Sequence, residues 1–159
     1  MVDSILILDG AVGRVLHLSK AAIDALPEDA RVDDVSRFHA GRRGDGVTLE
    51  ALLRLAVPDP AADFLTLHAG RDDFHVSIPL AAVRGEGVVV YKLGDLPLGV
   101  KQGGPVRFLI RDPAACHSRE LDDCANVKYL DRIELTVGRG RDTRPADEAE
   151  HAALHAKQK

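Results

Sequence analysis

The chain has 159 residues, 45% of them apolar and 29% charged, a balance that belongs to one globular domain with a core large enough to need no disulfide or metal staple. A net charge of −4 argues against non-specific nucleic-acid binding, because phosphate contacts require clustered Lys and Arg, and with aromatics at 4% and no Trp there are few platforms for stacking bases. The core has to be built from Val, Leu, Ile and Ala.

No stretch of about 18 apolar residues occurs, so no membrane span is expected. The opening segment Met1 to Gly10 lacks a basic n-region, and its apolar run Ile5 to Leu8 is stopped by Asp9, so it does not read as a signal peptide. The expected location is cytoplasmic, or periplasmic if a leader has been removed.

In chain order, Ile5 to Leu8 and Val12 to Leu18 read as strands around a turn at Asp9-Gly10, a hairpin signal. Ser19 stands where a helix N-cap should, with Leu18 and Ile23 placed as a hydrophobic staple, so a short helix is predicted from Lys20 to Leu26, ending near Pro27. Val32 to Phe38 has strand character and Gly41 to Gly46 reads as a loop. The strongest helix signal follows: Thr48 as N-cap, Leu49, Leu52, Leu53 and Ala56 on one face, Glu50 in the first turn, and Pro58 and Pro60 as stops. From Phe64 the period becomes extended, with Phe64 to His68, Phe74 to Ile78, Gly87 to Lys92 and Val106 to Ile110 as candidate strands of one sheet. Ala81 to Val83 leaves room for a single helical turn, and Tyr129 to Val137 reads as a closing strand. The expectation is a single α+β domain over residues 1–138 with one mixed sheet, followed by a solvated polar tail over 139–159, in part helical from Ala146. There is no internal repeat and no second domain.

Several segments, taken in order, resemble the molybdopterin-binding domain of the sulfite-oxidase superfamily. Gly46-Val47-Thr48-Leu49-Glu50-Ala51-Leu52-Leu53 is similar to that family's G-V-x-L-x-x-L-L helix opening. Gly70 to Leu80 is similar to its D-G-Y … I-P-L segment, with Asp73 in the place of the Gly and Phe74 in that of the Tyr. Val89 to Leu98 resembles L-A-Y-x-x-N-G-x-P-L, Gly103-Gly104-Pro105-Val106-Arg107 fits G-x-P-V-R, and Val127-Lys128-Tyr129-Leu130 resembles V-K-W-L. Pro27 to Val35 resembles the family's L-P … V-T entry into this region. The resemblance implies a mixed-sheet α+β fold in which a pterin is gripped by Arg and Lys side chains and by backbone at Gly-rich turns. Arg107 beside Gly103 and Gly104 has the attributes a pterin phosphate wants, Lys128 offers a second positive charge, and Asn126, two residues before it, is a further candidate for the cofactor site. The competing reading is structural: Gly-Gly-Pro starts a strand and Arg107 serves an ion pair.

The sequence departs from that family at one telling place. In catalytic members a cysteine thiolate between the V-T strand and the G-V-x-L helix ligates molybdenum, a soft-ligand role that Ser or His fills poorly. Here the interval Val35 to Asp45 contains no cysteine, though Ser36 and His39 lie in it; the Trp before Gly-Val and the larger N-terminal portion of full-length members are also missing. The fold alone does not choose between retained, altered and lost chemistry.

The chain's two cysteines, Cys116 and Cys124, flank a polar loop just before the V-K-Y-L segment. Four readings compete: a thiol approaching the pterin pocket; a zinc site of Cys116, His117 and Cys124 with His39, Asp122 or Asp123 as a fourth ligand, at a spacing that matches no standard pattern; a disulfide, disfavoured in a reducing cytosol; and two partly buried free thiols. Asp72 and Asp73 with His68 and His75 suggest a metal or acid–base cluster, in which His75 shares a strand face with Asp73 and not with Asp72; the simpler reading is a turn between two strands. His151 and His155, four apart in the tail, have chelating spacing but little to fix them.

Two functions from different classes follow. The first is a molybdopterin-binding oxidoreductase-like domain with degenerate or lost molybdenum chemistry and no identifiable catalytic residue. The second is a non-catalytic small-molecule or metal-binding interaction module on the same fold, organised by the Cys116 to Cys124 loop; a redox-responsive thiol pair is a third. The partner expected is a pterin or other small molecule, with no nucleic acid and no membrane.

Overall fold

The computed structural model describes residues 4–37, 43–111 and 127–143. The architecture is α+β, as expected, but the strands divide between two five-stranded sheets rather than forming one.

The first sheet contains β1 (Leu6–Gly10), β2 (Leu16–Leu18), β5 (Phe64–Ala69), β6 (Phe74–Pro79) and β10 (Arg132–Thr136), in the order β2-β1-β10-β5-β6. β1 and β10 run parallel and every other pair is antiparallel, so the sheet is mixed. The second sheet contains β3 (Arg31–Val32), β4 (Asp45–Thr48), β7 (Gly87–Leu93), β8 (Leu96–Pro97) and β9 (Arg107–Ile110). Here β7 is central: β4 lies along one edge, and β8 and β9 share the other, against residues 92–93 and 87–90 respectively.

The two sheets bury their strands differently, and the sequence pattern follows. β5 and β6 alternate, sending Leu65, Leu67, Val76 and Ile78 into the main core and Thr66, His68, His75 and Ser77 to the other face. β7 is buried on both faces: Val89 and Tyr91 join the main core with Phe108 and Ile110, while Val88 and Val90 pack with Val32, Val35, Leu98 and Leu109 in a smaller one.

The helix α2 (Leu49–Ala56) forms as its pattern predicts. Ala51 N–H donates to Thr48 Oγ1 at 3.2 Å, and Leu49, Leu52, Leu53 and Ala56 are all buried between the sheets, each leucine contributing about 1.5–3 kcal/mol. The short helix α1 (Lys20–Asp24) is likewise capped by Ser19, whose Oγ accepts from Ala22 N–H at 3.1 Å. It is anchored on β7 through Asp24, which accepts from the Tyr91 hydroxyl and from Lys92 at 3.3 Å, with Lys20 on its second oxygen at 2.9 Å. α3 (Leu80–Val83) is the single turn anticipated between β6 and β7.

Four local expectations change. The β1–β2 connection is not a two-residue turn: residues 11–15 form a loop held by Gly13 N–H to Val57 O at 2.7 Å and Arg14 N–H to Ala56 O at 2.9 Å. Of the described part of that span, Val32 to Arg37, only Val32 lies in a strand, β3; Val35–Arg37 is a 3-10 turn, because Asp34 takes a left-handed conformation (φ 57°) and its carboxylate accepts from Ser36, while Phe38 lies outside the described residues. Asp45 and Gly46 begin β4 instead of ending a loop; a Cβ on Gly46 would sit 2.2 Å from Val89 O, so only glycine lets the two strands close at this bulge. Residues 139–143 do not run free in solvent. They strap the first sheet at β6: Gly140 N–H donates to Ser77 Oγ at 2.8 Å, Ser77 N–H to Asp142 at 3.1 Å, and Thr143 N–H to His75 O at 2.7 Å. Residues 144–159 lie outside the described part of the chain.

Candidate functional site

The Gly-Gly-Pro-Val-Arg segment closes a compact turn. A 3-10 turn over Val100–Gln102 ends at Gly103, which is left-handed (φ 88°) as that stop requires, and Gly104 N–H bonds back to Gly99 O at 2.9 Å. The second glycine is needed for another reason: a Cβ on Gly104 would fall 2.0 Å from Leu98 O. β9 then starts with Arg107, which is 4% exposed and donates through Nη1 to Gln102 O at 3.1 Å.

Residues 127–130 lie alongside this turn. Val127 and Phe108 exchange backbone hydrogen bonds at 2.8 and 3.0 Å, Tyr129 N–H donates to Gly103 O at 2.8 Å, and Leu130 N–H to Val106 O at 2.8 Å. This pairing brings Lys128 to the turn. A Cβ on Gly103 would lie 3.1 Å from Arg107 Nη1 and 3.2 Å from Lys128 Cγ, so Gly103, Arg107 and Lys128 meet at one point. Tyr129, itself left-handed (φ 57°), extends the group: the Arg71 guanidinium lies 4.4 Å from its ring centre and Lys128 Nζ 5.8 Å. Two cations from distant segments, Arg107 and Lys128, therefore border one glycine turn, and a third, Arg71, lies over the neighbouring Tyr129 ring.

Arg71 and Tyr129 were not singled out as site residues from sequence. Arg71 sits in the β5–β6 turn with nothing local to relate it to Tyr129, and the left-handed backbone that presents Tyr129 has no residue signature. Gly104 is next to the cradle but acts through packing on Leu98. Ser36 donates its hydroxyl to Asp34 within its own turn. Asn126, Cys116, His117 and Cys124, with His39, Asp122 and Asp123, lie outside the described residues. Among the described residues, no group of three His, Cys, Asp or Glu side chains is arranged to hold a metal ion.

A second polar cluster occupies the outer face of the first sheet. His68 on β5 and His75 on β6 are directly opposite one another, with Nδ1 to Nδ1 at 2.7 Å. His75 Nε2 faces Asp73 Oδ1 at 2.9 Å and His68 Nε2 faces Glu134 Oε1 at 2.9 Å. Asp72 and Asp73 are turn residues as expected, Asp73 being left-handed (φ 48°), yet Asp73 also makes the contact with His75 that the shared face suggests. The bond from His75, and then Arg141, hold the Asp73 carboxyl below the usual carboxylate range.

Fold and site together define a two-sheet α+β domain in which Arg107 and Lys128 meet at the Gly103 turn. The family model for the oxidoreductase molybdopterin binding domain matches residues 42–142, and the chain belongs to that family. Among solved structures, it is similar to the sulfane dehydrogenase SoxCD from Paracoccus pantotrophus, with a TM-score of 0.62 and 16% identity, over 89% of this chain. That match spans only 40% of the SoxCD chain, and at this identity it speaks for the fold alone. No curated protein matches this chain. Among the described residues no helix is long and apolar enough to cross a membrane.

Proposed function

We propose that this chain is a molybdopterin-binding domain that takes the cofactor's phosphate at the Gly103, Arg107 and Lys128 cradle, with molybdenum chemistry altered or lost. The observation that carries this reading is the convergence at Gly103, where the position of a Cβ lies 3.1 Å from Arg107 Nη1 and 3.2 Å from Lys128 Cγ. A side chain at this position would crowd both cations, whereas glycine leaves them side by side at the turn, an arrangement that suits an anion. The residues present therefore fit the anionic end of the group.

Arg107 would bind and orient the phosphate through its planar donors, fixed in direction by its bond to Gln102 O. Lys128 would add charge, and Arg71 on Tyr129 would close the rim. When bound, the group supplies two-electron redox chemistry of its own, and the protein's part is binding and orientation. The segment Val35 to Asp45 supports the change in chemistry, because it offers no thiolate where catalytic members have one.

The test is to produce the chain in a host that makes the cofactor and to measure bound pterin and molybdenum. Pterin near one equivalent is expected, falling about 10-fold in Lys128→Gln, since a charge-assisted hydrogen bond is worth about 1.5–3 kcal/mol. Pterin retained equally by Lys128→Gln and Arg107→Gln would remove the cradle from the proposal. Absence of pterin with one equivalent of zinc would replace it with a metal-organised module, and absence of both would overturn it.

A further inference from the structure

We infer that His68 and His75 form a buried proton-binding site, an imidazole–imidazolium pair that shares one proton between its Nδ1 atoms. The pair is independent of the Gly103 cradle. His68 is 9% and His75 7% exposed, and their rings meet edge to face, 4.9 Å between centres and inclined at 68°.

The proton count follows from the contacts. Two ring nitrogens at 2.7 Å need one hydrogen between them, because two lone pairs repel and two N–H groups collide. Each Nε2 faces a carboxylate oxygen at 2.9 Å, and an ionised carboxylate only accepts, so each Nε2 carries a hydrogen. Three protons on four nitrogens make one ring neutral and the other charged. A fourth proton, or loss of the third, leaves one of these three short contacts without a hydrogen bond.

The surroundings suit a single positive charge. Asp73 and Glu134 touch the pair directly. Arg132 lies 3.4 Å from Glu134 and 2.8 Å from Asp9, Arg141 lies 3.2 Å from Asp73, and Asp142 lies 3.6 Å from Arg139. Two carboxylates thus touch the pair, one on each Nε2, and a single positive charge shared between the rings lies between them. The strap over residues 139–143 rests on the same pair: His75 N–H donates to Thr143 Oγ1 at 2.9 Å, and His75 O accepts from Thr143 N–H. The proton thus acts as a latch, holding β5 to β6 beneath the strap.

Nitrogen-15 NMR of the histidine rings in the full chain tests this. The expected result near neutral pH is three protonated ring nitrogens in the pair, with a scalar coupling between the two Nδ1 atoms. Acid or base that abolishes the coupling should also lower protection of the Ser77 and Thr143 amides, relative to their intrinsic exchange at the same pH, at least 10-fold. Glu134→Gln, which keeps the oxygen but not the charge, should weaken the coupling near neutral pH. Two neutral rings, whether without coupling or with the third proton on Glu134, would overturn the inference, as would Glu134→Gln behaving like the parent. His68→Asn, which cannot carry the charge, should abolish the acid and base dependence of strap protection relative to intrinsic exchange; if that dependence persists, the pair is not the latch.

Discussion

Arg107 lies against Gly103 so closely that a Cβ on the glycine would stand 3.1 Å from the guanidinium Nη1. The turn and the buried cation occupy adjoining space that only glycine leaves open. Gly103→Ala adds this crowding to a left-handed backbone (φ 88°) that costs an L-residue roughly 1–2 kcal/mol. A fall in Tm of roughly 2–8 °C is expected in a thermal melt, with weaker retention of any anion bound beside Arg107.

Gly46→Ala should be more damaging. The clash there is with Val89 backbone, which has no rotamer to yield, whereas at Gly103 the obstacle is the end of a side chain. The strand pair β4–β7 would have to separate, at a cost of about 1–3 kcal/mol or more. Denaturant unfolding of the two variants, with Gly46→Ala the less stable, checks the ordering.

Tyr91 and Asp24 tie α1 to β7, and their bond makes stability depend on pH at both ends. The Tyr91 hydroxyl, then Lys20 and Lys92, hold Asp24 down to about 2, below its ordinary value near 4. A depressed carboxyl stabilises the fold above its unfolded value, and that contribution disappears as pH falls from about 4 through about 2. Burial and Asp24 push Tyr91 up, so its contribution is full below about pH 10 and is lost as the pH rises further. Tyr91→Phe should lower stability at neutral pH by about 1 kcal/mol, at the low end for a bond to a charge because Asp24 is 33% exposed and stays hydrated. It should also flatten the acid limb, without removing it while both lysines remain. Urea titrations at pH 2, 4 and 7 measure both effects.

Gly140 is where the strap crosses the sheet, and a Cβ there would lie 2.3 Å from Thr66 Oγ1. Gly140→Ala should lift residues 139–143 and expose the edge of β6. Hydrogen exchange should therefore quicken at His75 and Ser77, whose amides donate to Thr143 and Asp142, and stay unchanged at Leu65 and Leu67 in the middle of the sheet.

Much of the local structure could be read directly from residue order. The Ser19 and Thr48 caps and the α2 stripe depend on neighbours three or four residues apart, β5 and β6 on alternation, and β7 on a short continuous apolar run, so their signals are local. The ordered segments from Gly46 to Leu130 identified the family, and Arg107, Lys128 and Gly103 were marked as candidates before their contact was visible. The short strands were less legible. β3 ends after Val32 because Asp34 turns the backbone left-handed, and an aspartate does not announce that conformation.

What residue order determined is the chemistry each segment carries: a buried aliphatic helix, a glycine turn beside an arginine, two histidines seven apart on a hairpin, and no cysteine between Val35 and Asp45. What only the tertiary structure decided is which segments meet. β10 returns to lie between β1 and β5, and that placement sets Glu134 on His68 across 66 residues; residues 127–130 return to β9, and that sets Lys128 beside Gly103. Such pairings are chosen by burial of whole sheet faces and by satisfaction of backbone hydrogen bonds across the chain, energies that no short window of sequence contains.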